Sequence, residues 1–177
     1  PSPRILHIAT HGYFFPDPAS TDHSSSPGTA PPPVQLSEHP MVRSGLILAG
    51  ANPGWGGELA LEGKEDGILT AFEISQLDLS GTELVVLSAC ETGLGDINGN
   101  EGVYGLQRAF TIAGASNILM SLWQVPDLQT SELMTLFYQF WLGEDLSIAE
   151  ALAKSQKVMR DKYDDPYYWA GFVLVRE

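Results

Sequence analysis

Two apolar runs of strand length constrain this chain more than any other feature. One is Ile5-Leu6-His7-Ile8-Ala9-Thr10-His11-Gly12, and the other is Leu84-Val85-Val86-Leu87-Ser88-Ala89-Cys90-Glu91-Thr92-Gly93. Each is rich in aliphatic residues and stops abruptly at polar residues beside a glycine, as a strand buried on both faces of a parallel sheet does. The first run leads to His11 and Gly12; the second leads to Cys90, the only cysteine of the chain. Sites in open α/β sheets form beyond the carboxyl ends of strands, and neighbouring strands lie about 4.8 Å apart. If the two strands are neighbours, a thiol nucleophile has a base within reach.

The rest of the chain alternates in the same way. Strands are expected near Arg4–Thr10, Ser44–Ala49, Thr82–Ser88, Ala115–Leu122 and Ala170–Val175. Thr70 with Glu73 and Ser147 with Glu150 have capping-box spacing, and the second box opens a segment whose Ile148, Ala151, Leu152, Ser155, Val158 and Met159 share one face. Asp127, after Pro126, stands where the N-cap of a helix running to Gly143 is expected, and Gly102–Gly114 reads as helical despite its glycines. Strands alternating with helices predict an α/β fold with a mostly parallel sheet covered on both faces. Two long loops interrupt the pattern: Gly12–Pro40, rich in Pro, Ser and Asp, follows His11, and Glu91–Asn100 follows Cys90.

Composition narrows the partners. The 177 residues suit one domain, and 44% hydrophobic residues suffice for a core. Nine basic against 22 acidic side chains give a net charge of -13, which repels nucleic-acid phosphates and anionic lipid and favours cationic peptides or proteins. A single cysteine makes no internal disulfide, and no apolar run approaches the roughly 18 residues of a membrane span. A cytoplasmic location is therefore expected, with neither membrane association nor direct nucleic-acid binding by this domain. The opening Pro1-Ser2-Pro3-Arg4 is no signal peptide, and entry into a core strand without an initiator Met suggests part of a longer protein.

A cysteine attacks as its thiolate and needs a nearby imidazole and solvent access. A lone cysteine after an apolar strand is more often an inert core residue. Here Ser88, Glu91, Thr92 and Gly93 are poor core material, so the chain leaves the hydrophobic layer at Cys90. His7, embedded among Ile5, Leu6 and Ile8, reads as a satisfied core histidine, whereas His11 stands at the strand exit. No third ligand with metal-site spacing accompanies these two, and His23 and His39 carry no motif, so neither a metal nor another cofactor is expected. Gly12 allows close approach of backbone to substrate, so its N–H and that of Cys90 are candidate oxyanion donors; a tight turn would equally explain this glycine.

The strand ending in His11-Gly12 and the later one ending in Ala89-Cys90 resemble the dyad of caspase-fold cysteine peptidases. With Asp66-Gly67-Ile68-Leu69-Thr70-Ala71 before Ser88-Ala89-Cys90-Glu91-Thr92-Gly93, and Glu101-Gly102-Val103, Leu106, Arg108-Ala109-Phe110, Ala113-Gly114-Ala115, Ser121-Leu122-Trp123 and Tyr167-Tyr168-Trp169-Ala170-Gly171-Phe172 after it, the chain resembles the CHAT family. These separase-related, caspase-like domains are commonly fused to tetratricopeptide repeats, mostly in bacteria. Two differences from caspases stand out: Ser88 replaces the Gln of Gln-Ala-Cys, and His11 lies 79 positions before Cys90 instead of about 50. Members also carry further strands and helices before the His-Gly strand, so the resemblance implies that residues 1–177 are the C-terminal, dyad-bearing part of the domain, with residues 12–40 as a long loop.

The resemblance implies a three-layer caspase-like sandwich and a cysteine endopeptidase acting through Cys90 and His11 by an acyl-enzyme. Trp123-Gln124-Val125-Pro126-Asp127 is similar to the separase segment whose Asp reads a basic P1 side chain, a role for the Asp127 carboxylate that stands beside its N-cap reading; Trp123 would be pocket wall or core. The implied partners are a protein or peptide substrate, an activating partner or ligand that orders the loops, and a tetratricopeptide-repeat or other region of the parent chain. Self-cleavage at Arg43-Ser44 would require access to a site against a strand. The alternatives are a non-catalytic interaction module of the same fold and a thiol hydrolase acting on another acyl compound.

Overall fold

The structure, a computed structural model, describes residues 2–15, 40–51, 66–88 and 101–176. Its centre is the strand Leu84–Leu87, all four of whose residues are fully buried. Alternation sends Leu84 and Val86 to one face and Val85 and Leu87 to the other, and both faces are covered, so polar residues have no place in this strand. Burying each such side chain contributes roughly 1.5–3 kcal/mol.

Among the described residues the strands are β1 (Ile5–Ile8), β2 (His11–Phe14), β3 (Ser44–Ile47), β4 (Ile68–Thr70), β5 (Leu84–Leu87), β6 (Asn117–Ser121) and β7 (Phe172–Arg176). The α-helices among the described residues are α1 (Ala71–Ser75), α2 (Glu101–Ile112), α3 (Asp127–Tyr138) and α4 (Ile148–Lys162). One sheet has the order β1-β5-β6-β7, parallel except for β7. On one of its faces Leu84, Val86 and Leu119 pack against α3 and α4 through Leu133, Phe137, Ala151 and Met159. On the other, Val85, Leu87, Ile118 and Met120 meet Ile74 of α1 and Leu106, Ala109 and Phe110 of α2. The expected α/β sandwich, a mostly parallel sheet between two helical layers, is present.

A second, antiparallel sheet of order β2-β3-β4 corrects the reading of the first half. The opening strand is shorter than Arg4–Thr10: β1 stops at Ile8, and His11 opens β2. Gly12–Phe14 therefore belongs to a strand and not to the long loop, of which residues 16–39, including His23 and His39, lie outside the described residues. The strand expected at Ser44–Ala49 is β3, and it joins the antiparallel sheet, a placement its short sequence cannot distinguish from a parallel one. Arg43 and Ser44 are 2% and 1% exposed, so the bond between them is closed to self-cleavage in this fold.

Local chemistry explains the helix starts. Thr70 accepts from the Glu73 N–H at 3.2 Å while the Glu73 carboxylate accepts from the Thr70 N–H at 2.8 Å. Ser147 and Glu150 make the same reciprocal pair at 3.3 and 3.0 Å. In α4 the expected face is buried except at Val158, which is 39% exposed. The helix expected to run to Gly143 divides: α3 ends at Tyr138 and continues as a π-helical turn over Gln139–Gly143. At Gly67, φ is +74° and an added Cβ would come within 2.5 Å of the Ala51 nitrogen, so only glycine fits the turn that starts β4.

Candidate active site

Strands β1 and β5 are direct neighbours, parallel and in register, with Ile8 opposite Leu87 and the Ser88 N–H donating to the Ile8 carbonyl at 3.1 Å. Their carboxyl ends thus leave the sheet side by side. His11 follows three positions after Ile8; it is exposed, pairs with Ile47 across β2 and β3, and is placed by the hydroxyl of Thr10, which donates to the Ile47 carbonyl. Cys90 follows three positions after Leu87 and lies outside the described residues, as does Glu91–Asn100.

Gly12 is in β2 opposite Leu46, so it serves no tight turn. The Phe15 N–H donates to the Arg43 carbonyl at 2.8 Å, which makes that pair a hydrogen-bonded one. Alternation then makes Tyr13–Gly45 and His11–Ile47 hydrogen-bonded pairs and Gly12–Leu46 a non-bonded pair, and the N–H of Gly12 turns away from β3 toward the outer edge of β2.

Asp127 is not an N-cap. Pro126 takes that position with no side-chain hydrogen bond, Asp127 is the first helical residue, and the Thr130 N–H donates to the Pro126 carbonyl at 2.9 Å. The exposed Asp127 carboxylate lines a small cavity with Ser88, Ser121, Trp123, Val125, Thr130 and Phe172, at the carboxyl ends of β5 and β6. The cavity measures about 30 Å³, room for a water molecule or so. Its aromatic wall is braced: the Trp123 indole N–H donates to the Tyr167 carbonyl at 3.0 Å, and the two rings stack at 6.4 Å. Trp123 also packs against the core, so it is wall and core at once.

Histidine 7 departs most from its reading. Its side chain is exposed at the sheet's carboxyl end, with Nε2 hydrogen-bonded to Ser88 Oγ at 3.1 Å and Nδ1 to the Tyr138 hydroxyl at 3.0 Å. Satisfied it is, but not as a core residue. The Tyr138 ring lies 5.8 Å away, and the resulting partial burial lowers the imidazole pKa below its ordinary value and raises that of the phenol. With both ring nitrogens engaged His7 offers no metal ligand, and no cluster of three or more metal-ligating side chains occurs among the described residues. Sequence reasoning singled out neither Tyr138 nor Phe172's place in the cavity. The only legible hint was Ser88, a polar residue ending an apolar strand.

Compared with known families, the sequence matches the model of the CHAT domain over residues 1–177. The chain belongs to the CHAT domain family. Tetratricopeptide repeat protein 28 of mouse and of human is each 34% identical to it over 110 residues, 61% of this chain. The aligned part is 4% of each of those proteins, so this CHAT domain spans a small fraction of their length. The family is related to the caspase-like cysteine peptidases, and no described helix of this member is long and apolar enough to cross a membrane.

Proposed function

We propose that this CHAT domain is a cysteine endopeptidase in which Cys90 attacks the scissile carbonyl and His11 carries the proton. The observation that supports it most is the in-register pairing of β1 with β5, from whose last paired residues His11 and Cys90 are equally distant in sequence. His11 accepts the thiol proton, the thiolate adds to the carbonyl carbon, and the N–H groups of Gly12 and Cys90 donate to the oxyanion. Collapse passes the proton from His11 to the leaving amine and leaves a thioester. Water, deprotonated by His11, then releases the acid and restores the thiol. The outward N–H of Gly12 supports its part in this scheme.

Asp127 reads P1 in this proposal. Its carboxylate is free of an N-cap role and sits at a cavity beside the β5 exit, and it would pair bidentately with an arginine or as a point contact with a lysine. A cavity of about 30 Å³ does not hold either side chain, so activity requires opening by a partner or ligand. The test is kcat/KM on peptides with Arg, Lys, Met or Asp at P1, using the full-length natural polypeptide that carries this domain. Cys90→Ala and His11→Ala are expected to abolish turnover, and Asp127→Asn to lower the Arg rate at least tenfold while sparing Met. Unchanged Arg cleavage by Asp127→Asn would remove Asp127 from the scheme. Turnover independent of Cys90 would remove the dyad, and no turnover on any acyl substrate would favour the non-catalytic interaction module.

A further inference from the structure

The hydrogen-bonded chain Tyr138–His7–Ser88 is not used by the dyad, yet it ends in the cavity that Asp127 lines. Its three members come from far apart: Tyr138 is the last residue of α3, His7 lies in β1, and Ser88 leaves β5. His7 stands opposite Val86, so it reaches Ser88 diagonally, two residues along the neighbouring strand on the same face of the sheet. Immediately after Tyr138 the helix widens into its π-helical turn, a rare geometry that tends to mark functional positions.

We propose that Ser88 is a second specificity contact for the P1 side chain, and that His7 and Tyr138 are positioning residues that decide which way its hydroxyl bonds. This rests on the basic-P1 reading of Asp127. A neutral imidazole offers one donor and one acceptor, so the two hydroxyls at its ends take opposite roles. If Tyr138 donates to Nδ1, Nε2–H donates to Ser88, whose own proton then faces the cavity. If Nδ1–H donates to Tyr138, Ser88 donates to Nε2 and both of its lone pairs are left to face the cavity. Guanidinium and ammonium groups are donors only, so a cationic P1 side chain selects the second arrangement and gains an acceptor beside the Asp127 carboxylate. Burial against Tyr138 helps keep His7 neutral, the state in which this arrangement exists.

The experiment compares kcat/KM for peptides with arginine or with its uncharged isostere citrulline at P1, in the full-length polypeptide, for wild type, Ser88→Ala, Ser88→Thr, Tyr138→Phe and Asp127→Asn. Loss of a hydrogen bond to a charged group predicts that Ser88→Ala lowers the Arg/citrulline ratio about tenfold. Tyr138→Phe, which keeps the ring but removes the acceptor for Nδ1–H in the second arrangement, lowers it by about threefold, and Ser88→Thr, which keeps the hydroxyl, retains it. A ratio unchanged in both Ser88→Ala and Tyr138→Phe but collapsed in Asp127→Asn would overturn this inference and leave the Asp127 reading standing. A wild-type ratio near one would overturn both. Because the readout is a ratio within one protein, a general loss of folded enzyme does not imitate the effect, and Tyr138→Phe serves if Ser88→Ala fails to fold.

Discussion

At the scale of single residues, His7 carries the clearest pH signature. Its imidazole pKa in the folded protein lies below the ordinary 6.5 because burial against Tyr138 penalises the cation. As pH falls below about 6.5 the unfolded chain binds this proton before the folded one does, so stability declines over that window and is fully present above it. Urea midpoints measured at about pH 7.5 and pH 5 should therefore drop further for wild type than for His7→Gln; equal drops would show that His7 is not desolvated. The same residue shows what was legible and what was not. His11, Gly12 and Cys90 stand out as candidates because each lies where an apolar run gives way to polar residues and glycine, a signal confined to a few neighbouring positions. His7 sits among Ile5, Leu6 and Ile8, but its distinction depends on Tyr138, 131 positions away, which local sequence cannot reveal. Asp127 was ambiguous for a local reason: Pro126 already occupies the N-cap, and that displaces Asp127 into the first turn and leaves its carboxylate at the cavity.

Among elements, the small antiparallel sheet is the part the periodicity did not foresee, and it holds His11 and Gly12. Its strands are three or four residues each, too short to declare an alternation, and β2 falls in a segment whose later residues read as loop. The central sheet, by contrast, was legible because β5 is apolar on both faces, and the two capping boxes were legible because their chemistry is confined to four residues. The position that decides the small sheet is Gly45: an added Cβ would lie 2.6 Å from the Leu69 carbonyl oxygen and 2.8 Å from the Tyr13 ring. Gly45→Ala should cost about 1–3 kcal/mol in denaturant unfolding, since the backbone of β4 must give way. Gly143→Ala, with nothing within 4 Å of its Cβ, is the matched control and should be close to neutral. An equally small effect of both would mean that β3 and β4 do not approach as closely as described.

For the whole molecule, a net charge of -13 on 177 residues gives a negative field in which a cationic substrate is attracted before it is bound. Screening shortens that field to about 3 Å at 1 M salt, so kcat/KM on an Arg-P1 peptide should fall several-fold between about 0.05 and 0.5 M salt with kcat unchanged. A salt-insensitive kcat/KM would assign substrate capture to contacts at the site alone. The sandwich itself explains how sites from distant sequence meet: β1 and β5 are neighbours in the sheet, while the small sheet and α1 lie between them in sequence, and the β6–α3 connection brings Asp127 to the same end. The dyad at this end is the central claim, and intact mass tests it most directly. The full-length polypeptide, alone and with any partner or ligand that opens the Asp127 cavity, is treated with acyloxymethyl ketone peptides ending in Arg, Lys, Met or Asp. A single adduct that maps to Cys90 and disappears in His11→Ala is the predicted result. Folded, activated protein that forms no adduct on Cys90 with any of the four would contradict it.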